Sequence, residues 1–206
     1  MTADDALRAA KMDGWNVRKE PMYTASGIEV PNRVATVRTD SVTGETRYLG
    51  YVGHGYTIHQ NEEMFDFLDG IVDESGAHYE AAGFTKNGAR TFVSMKLPDG
   101  IKVGGEDAHD LYLLARNGHD GFAAFEVAVV PIRLACTNQI TAAFRNAQQK
   151  WKIRHTAHMA GRIAEARASL ELTWQYVDTF ATELGRLLDD AYTEAQFHEL
   201  TKARVP

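Results

Sequence analysis

The sequence predicts an α+β fold: a mostly antiparallel sheet with short helices and a long C-terminal helix. Three observations carry this reading. Runs of β-branched and aromatic residues separated by turn residues fill the chain as far as Leu134. Asn87-Gly88 sits between two such runs, and this residue pair best tolerates the positive φ angles of a tight hairpin turn. From about Ile153 onward, apolar residues recur at three- and four-residue steps, the period of an amphipathic helix.

The elements follow in order. Residues 4–13 form a short helix, with Ala6, Leu7, Ala10 and Met12 apolar and Gly14 as its stop. Val17–Thr24, Arg33–Thr39 and Arg47–Ile58 read as strands, broken by Ser26-Gly27, Pro31-Asn32 and the turn at 40–44. A strand over Tyr56–His59 leads into the next helix. Asn61 is an N-cap for a helix whose apolar face is Met64, Phe65, Phe67, Leu68, Ile71 and Val72, with Glu62 and Glu63 complementing the helix dipole. His78–Phe84 and Ala89–Leu97 form the hairpin around Asn87-Gly88. Asp110–Arg116 and Phe122–Leu134 form another across Asn117-Gly118-His119-Asp120-Gly121, with Pro131 marking a bulge or an edge position. Thr137 or Asn138 caps a helix from near Gln139. One long helix from Ile153 to Ala191 and a short one after the capping-box spacing Thr193-Glu194-Ala195-Gln196 complete the chain.

At 206 residues this is one large domain, or one with a helical appendage: a core over 1–150, and 151–206 as helices belonging to the same domain or to an oligomer contact. A helix of ~35 residues is ~50 Å long at ~1.5 Å per residue. That is too long for a small domain to cover, so homo-oligomerisation through it is expected. One cysteine, Cys136, excludes an internal disulfide framework and fits the reducing cytoplasm. The N-terminus lacks the basic flank and apolar core of a signal peptide, and no apolar run is long enough to cross a membrane.

Charge is segregated. The chain carries −6 overall, yet Arg145, Lys150, Lys152, Arg154, Arg162 and Arg167 face only Glu165 between residues 145 and 167, a local +5. Phe144 and Trp151 interleave with these cations. Such a mix contacts phosphates and stacks on unpaired bases, so Arg145, Lys150, Trp151, Lys152, Arg154, His155 and Arg162 are candidate nucleic-acid contacts, with Arg133 a weaker one. The bland reading stands beside it: a solvated face with both rings in the core.

The loop residues Asn117, His119 and Asp120 form a second candidate site, as an acid/base pair or a recognition loop. The same residues are also what a hairpin turn needs, because Gly and Asn accept positive φ and Asp caps backbone amides. Cys136 near a helix start is a possible nucleophile or a small buried residue. His155 and His158 can share a helix face, but two ligands without a third do not make a zinc site. No phosphate-binding glycine loop, dinucleotide fingerprint or serine nucleophile elbow occurs. No catalytic residue, metal or cofactor is therefore expected.

Several stretches stand in a telling order: Arg38-Thr39-Asp40; Leu49-Gly50-Tyr51-Val52 leading to Tyr56-Thr57-Ile58-His59-Gln60-Asn61; Tyr79-Glu80-Ala81-Ala82-Gly83 before Gly88-Ala89-Arg90; then Asn117-Gly118-His119-Asp120-Gly121, Pro131-Ile132-Arg133-Leu134-Ala135-Cys136-Thr137-Asn138 and Arg154-His155-Thr156. Together, over about residues 12–200, they resemble the phage/plasmid-like protein family, whose members carry a domain of unknown function. The resemblance implies a phage or plasmid setting and members longer at the C-terminus. It brings no catalytic residues with it. With the basic segment, it leads to the expectation of a non-enzymatic accessory that binds or anneals single-stranded DNA as a homo-oligomer in the host cytoplasm. A protein-interaction module is the alternative, and an enzyme using His119, Asp120 or Cys136 ranks behind both.

Overall fold

The computed structural model describes residues 2–72, 77–97, 101–103, 107–130, 137–147 and 150–153. The chain opens with helix α1 (Ala3–Ala9), where Thr2 and Asp5 exchange side-chain and backbone hydrogen bonds in a capping box. Strands β1 (Arg18–Tyr23), β2 (Glu29–Thr39) and β3 (Thr46–Val52) form an antiparallel three-stranded sheet in sequence order. Helix α2 (Asn61–Val72) follows.

Strands β4 (His78–Thr85) and β5 (Arg90–Lys96) pair as a hairpin, and a small two-stranded ladder, β6 (Ile101–Val103) with β7 (Asp107–His109), comes next. The larger sheet is completed by β8 (Tyr112–Gly118), β9 (Phe125–Val130) and β10 (Lys150–Ile153), with helix α3 (Thr137–Asn146) between the last two. Its order is β10-β9-β8-β5-β4, every pair antiparallel.

Both faces of the five-stranded sheet are covered. One face, with Val93, Met95, Leu113, Ala115, Phe125 and Val127, packs on α1 and α2 through Leu7, Met64, Phe65 and Leu68. The opposite face carries Tyr112, Leu114, Ala128 and Val130 under Ile140, Ala143 and Phe144 of α3. Two-sided burial explains why β8 is buried along nearly its whole length instead of alternating. In α2 the buried Met64, Phe65 and Leu68 recur at three- and four-residue steps, while Glu63, Asp66 and Asp69 face solvent.

The Asn87-Gly88 turn meets two demands at once. Asn87 has φ 57° and Gly88 φ 103°, conformations that β-carbons disfavour. A β-carbon at Gly88 would also stand 2.8 Å from Nε of Arg38 and 2.9 Å from the Trp15 ring. Arg38 is buried there, its guanidinium 4.1 Å from the Trp15 ring centroid and its Nε donating to the Asn87 carbonyl.

Three expectations are corrected. Residues 56–60 are not a strand end: β3 stops at Val52, and these residues use their side chains in an irregular connection. The second strand of the later hairpin begins at Phe125 rather than Phe122, because Asp120, Gly121 and Phe122 form a loop that docks on β3. The core sheet extends to Ile153, so the division at residue 150 falls inside β10. The long helix to Ala191, the short terminal helix, and Arg133, Cys136, Arg154, His155, His158 and Arg162 lie outside the described residues.

Candidate functional site

Two places gather the residues that carry chemistry. The first is the loop between β8 and β9. Asn117, at the end of β8, donates from Nδ2 to the His59 carbonyl at 3.4 Å and accepts from the Gly118 amide at 2.9 Å. His119 is 1% exposed, and its Nε2 lies 3.1 Å from Oδ1 of Asn61. Since Asn61 Nδ2 donates to the Met12 carbonyl at 2.8 Å, its Oδ1 must accept, and His119 is protonated on Nε2. Asp120 pairs with Arg90 and accepts the Phe122 amide at 3.0 Å. These partners hold both loop side chains inside the fold.

Residues 56–61 supply the other half of this junction. Tyr56 donates its hydroxyl to the Gly118 carbonyl at 2.7 Å. Burial, then the Asp120 charge, push the Tyr56 phenol well above its ordinary pKa. His59 Nδ1 lies 2.8 Å from the Glu63 carboxylate. Gln60 accepts the Val17 amide and donates to the Val17 carbonyl, imitating a strand pair with the N-terminal segment. Glu63 reaches back to the Gln60 amide, so Gln60 stands at the cap position and Asn61 is already helical.

The loop then meets the first sheet. A β-carbon on Gly50 would lie 2.5 Å from that of Asp120, and one on Gly121, at φ 77°, would meet Val52 at 2.9 Å. Beside this contact opens a cleft of about 290 Å³ lined by Arg33, Tyr51, Tyr56, Asp120 and Phe122. Tyr51 is 46% exposed and Phe122 71%, and their rings stand edge to face, with centroids 6.1 Å apart. The sequence reading missed this cleft because it counted Phe122 as a strand residue. The Asp120-Gly121 turn before it is the signal that could have moved it into the loop.

The second place is the basic corner. Lys150 and Lys152 occupy alternate positions of β10, among the described residues an edge strand, opposite Ala128 and Glu126 of β9. Lys150 Nζ donates to the Phe144 carbonyl at 3.3 Å, beside the exposed Arg145 in the last turn of α3. Lys152, its side chain 64% exposed, lies 3.9 Å from Glu126, which also binds Nε of Arg116 at 2.6 Å. Two of these cations, Arg116 and Lys152, thus share one carboxylate, and Lys150 and Arg145 stand at the end of α3. Phe144 is buried in the α3 core, with the Arg116 guanidinium 4.3 Å from its ring centroid. Trp151 pairs with Val127 on the other face and packs partly buried against the α1/α2 core.

Among the described residues no three His, Cys, Asp or Glu side chains stand together as a metal site, and no helix is long and apolar enough to cross a membrane.

The class is thus an antiparallel α+β domain whose two sheets are joined by a buried polar junction. Residues 48–206 match the family model described as "Domain of unknown function (DUF932)", and the chain belongs to that family. The match includes both halves of the junction at 56–61 and 117–122. No curated protein and no solved structure gives a significant match.

Proposed function

We propose that the protein is a non-enzymatic accessory of phage or plasmid DNA metabolism, acting in the host cytoplasm as a homo-oligomer and binding single-stranded DNA at the corner where β10 meets α3. The observation that supports this reading is the set of cations where β10 meets α3, in a chain of net charge −6: Arg116 and Lys152 share Glu126, while Lys150 reaches the Phe144 carbonyl beside the exposed Arg145. Cations displayed on a scaffold release counterions when they meet phosphate, the main source of affinity for a polyanion. The sequence adds Arg154, His155, Arg162 and Arg133 as further candidate contacts.

Lysines on an edge strand also guard it against pairing with other chains, so the test must separate the two roles. Titration of a fluorescent single-stranded oligonucleotide at several salt concentrations does so. Replacing Arg145, Lys150 and Lys152 together by Ala should weaken binding for every sequence and flatten the slope of log affinity against log salt by ~2, at ~0.7 per lost contact. Unchanged affinity and slope would leave the lysines as edge guards. The alternative, a protein-interaction module, draws on the exposed Tyr23, Ile28, Val42 and Tyr48 of the first sheet and its turns.

A further inference from the structure

We infer that the cleft between β3 and the β8–β9 loop is a seat for one unpaired nucleobase, with Phe122 and Tyr51 as its stacking walls and Arg33 as the contact for the adjoining phosphate. This rests on the single-stranded-DNA reading and adds to it a second, base-contacting site.

The loop is built to present Phe122 rather than to bury it. Gly121 at positive φ, the Asp120–Phe122 amide bond, the Arg90–Asp120 pair and the close approach of Gly50 to Asp120 fix the backbone on either side of a ring that remains 71% exposed. With the backbone on either side fixed, little backbone entropy is lost when the ring is engaged. Its edge-to-face neighbour Tyr51 gives the cleft a right-angled corner, with an interplanar angle of 87°, able to take a flat ring against one wall.

The volume, about 290 Å³, is at the lower limit of small-molecule sites and matches a single ring system. Arg33 is exposed at the rim, and its charge complements a phosphate. Tyr56 and Asp120 complete the lining, their polar groups already engaged with Gly118 and Arg90.

The cleft lies within reach of the basic corner. Glu126 is four steps along the chain from Phe122, at most about 14 Å of extended chain. Glu126 stands directly across from Lys152, about 5 Å away. A strand on the lysines therefore reaches Phe122 within about 20 Å. That proximity, and the adjacent cation, favour a nucleic acid over a protein partner.

The test is fluorescence titration of the full chain and its variants with a labelled oligothymidylate and a matching abasic oligonucleotide. Phe122→Ala and Tyr51→Ala should each weaken oligothymidylate binding about tenfold or more with an unchanged salt slope, because stacking releases no counterions. Neither should affect the abasic strand. Arg33→Ala should reduce the slope by about 0.7 on both strands. Phe122 is exposed, so its variant should keep the parental melting temperature, and circular dichroism verifies this.

Parental affinity in Phe122→Ala and Tyr51→Ala, while the Arg145/Lys150/Lys152 variant is weakened, would overturn the base seat and leave the DNA reading standing. Loss in Phe122→Ala with full binding by the triple variant would support the seat and remove the basic corner. Failure of the parent to bind either oligonucleotide would overturn both, and leave the exposed rings to a protein partner.

Discussion

Asn61, the first residue of α2, holds His119 of the β8–β9 loop with one end of its amide and the Met12 carbonyl with the other. The side chain is fully buried and ties three segments that are far apart in sequence. Asn61→Ala removes both bonds and leaves two buried polar groups without that partner, at ~1–3 kcal/mol each. We expect a loss of roughly 2–4 kcal/mol in total, which lowers the melting temperature by about 4–16 °C at this chain length. Calorimetry checks this; a variant melting within a degree of the parent would mean that the junction does not hold the fold.

Gly50 tests the docking of the loop on the first sheet. The added methyl of Gly50→Ala would meet backbone and β-carbon of Asp120, which cannot swing aside as a flexible side-chain tip could. Overpacking of this kind costs ~1–3 kcal/mol. Amide resonances of residues 119–122 should shift, while those of α3 should not. Gly55→Ala, which meets nothing within 4 Å, is the control.

How far the sequence discloses this arrangement depends on the range of the interaction. The hairpin at Asn87-Gly88 and the helix from Asn61 rest on neighbours in the chain, so local pattern is enough to find them. Asn117, His119 and Asp120 also stand out in the sequence. Their partners do not: Asn61 and Arg90 lie 58 and 30 residues away, and no spacing rule connects them. The same limit misassigned Tyr56–His59, whose β-like composition serves a connection that bonds to Gly118 and Asn117 through non-local contacts. Phe122 was misplaced because alternation cannot tell a strand residue from a loop residue that follows a glycine. In the basic segment, periodicity separates Lys150 and Lys152 from Trp151 only once the segment is known to be a strand.

Buried tyrosines should make stability fall at alkaline pH. Burial raises the pKa of Tyr56 and of Tyr79, and the Asp69 bond adds to the effect at Tyr79. An unfolded tyrosine ionises near pH 10. Above that pH the unfolded chain holds fewer protons than the folded one, so stability present below pH ~10 is lost as pH rises. Tyr56→Phe and Tyr79→Phe should each make this alkaline decline shallower. Denaturant melts at pH 8, 10 and 11 read the slope; a decline as steep as the parent's in both variants would refute the assignment.

Trp151 separates packing from ligand contact. It lies opposite Val127 and packs, partly buried, against the core built on α1 and α2. Its neighbours Lys150 and Lys152 point to the opposite face of β10, as alternation along a strand requires. Fully buried aromatic residues cost ~3–5 kcal/mol when cut to alanine, so a partly buried one at an edge strand should cost about 2–3 kcal/mol. At ~2–4 °C per kcal/mol, Trp151→Ala should melt roughly 4–12 °C below the parent. Trp151→Phe keeps most of the apolar contact and should recover much of that loss. Below its melting range, the alanine variant should bind single-stranded oligonucleotide with the parental salt slope, because no phosphate contact has been removed. A Trp151→Ala protein with the parental melting temperature but reduced affinity would put the ring on the ligand instead of in the core.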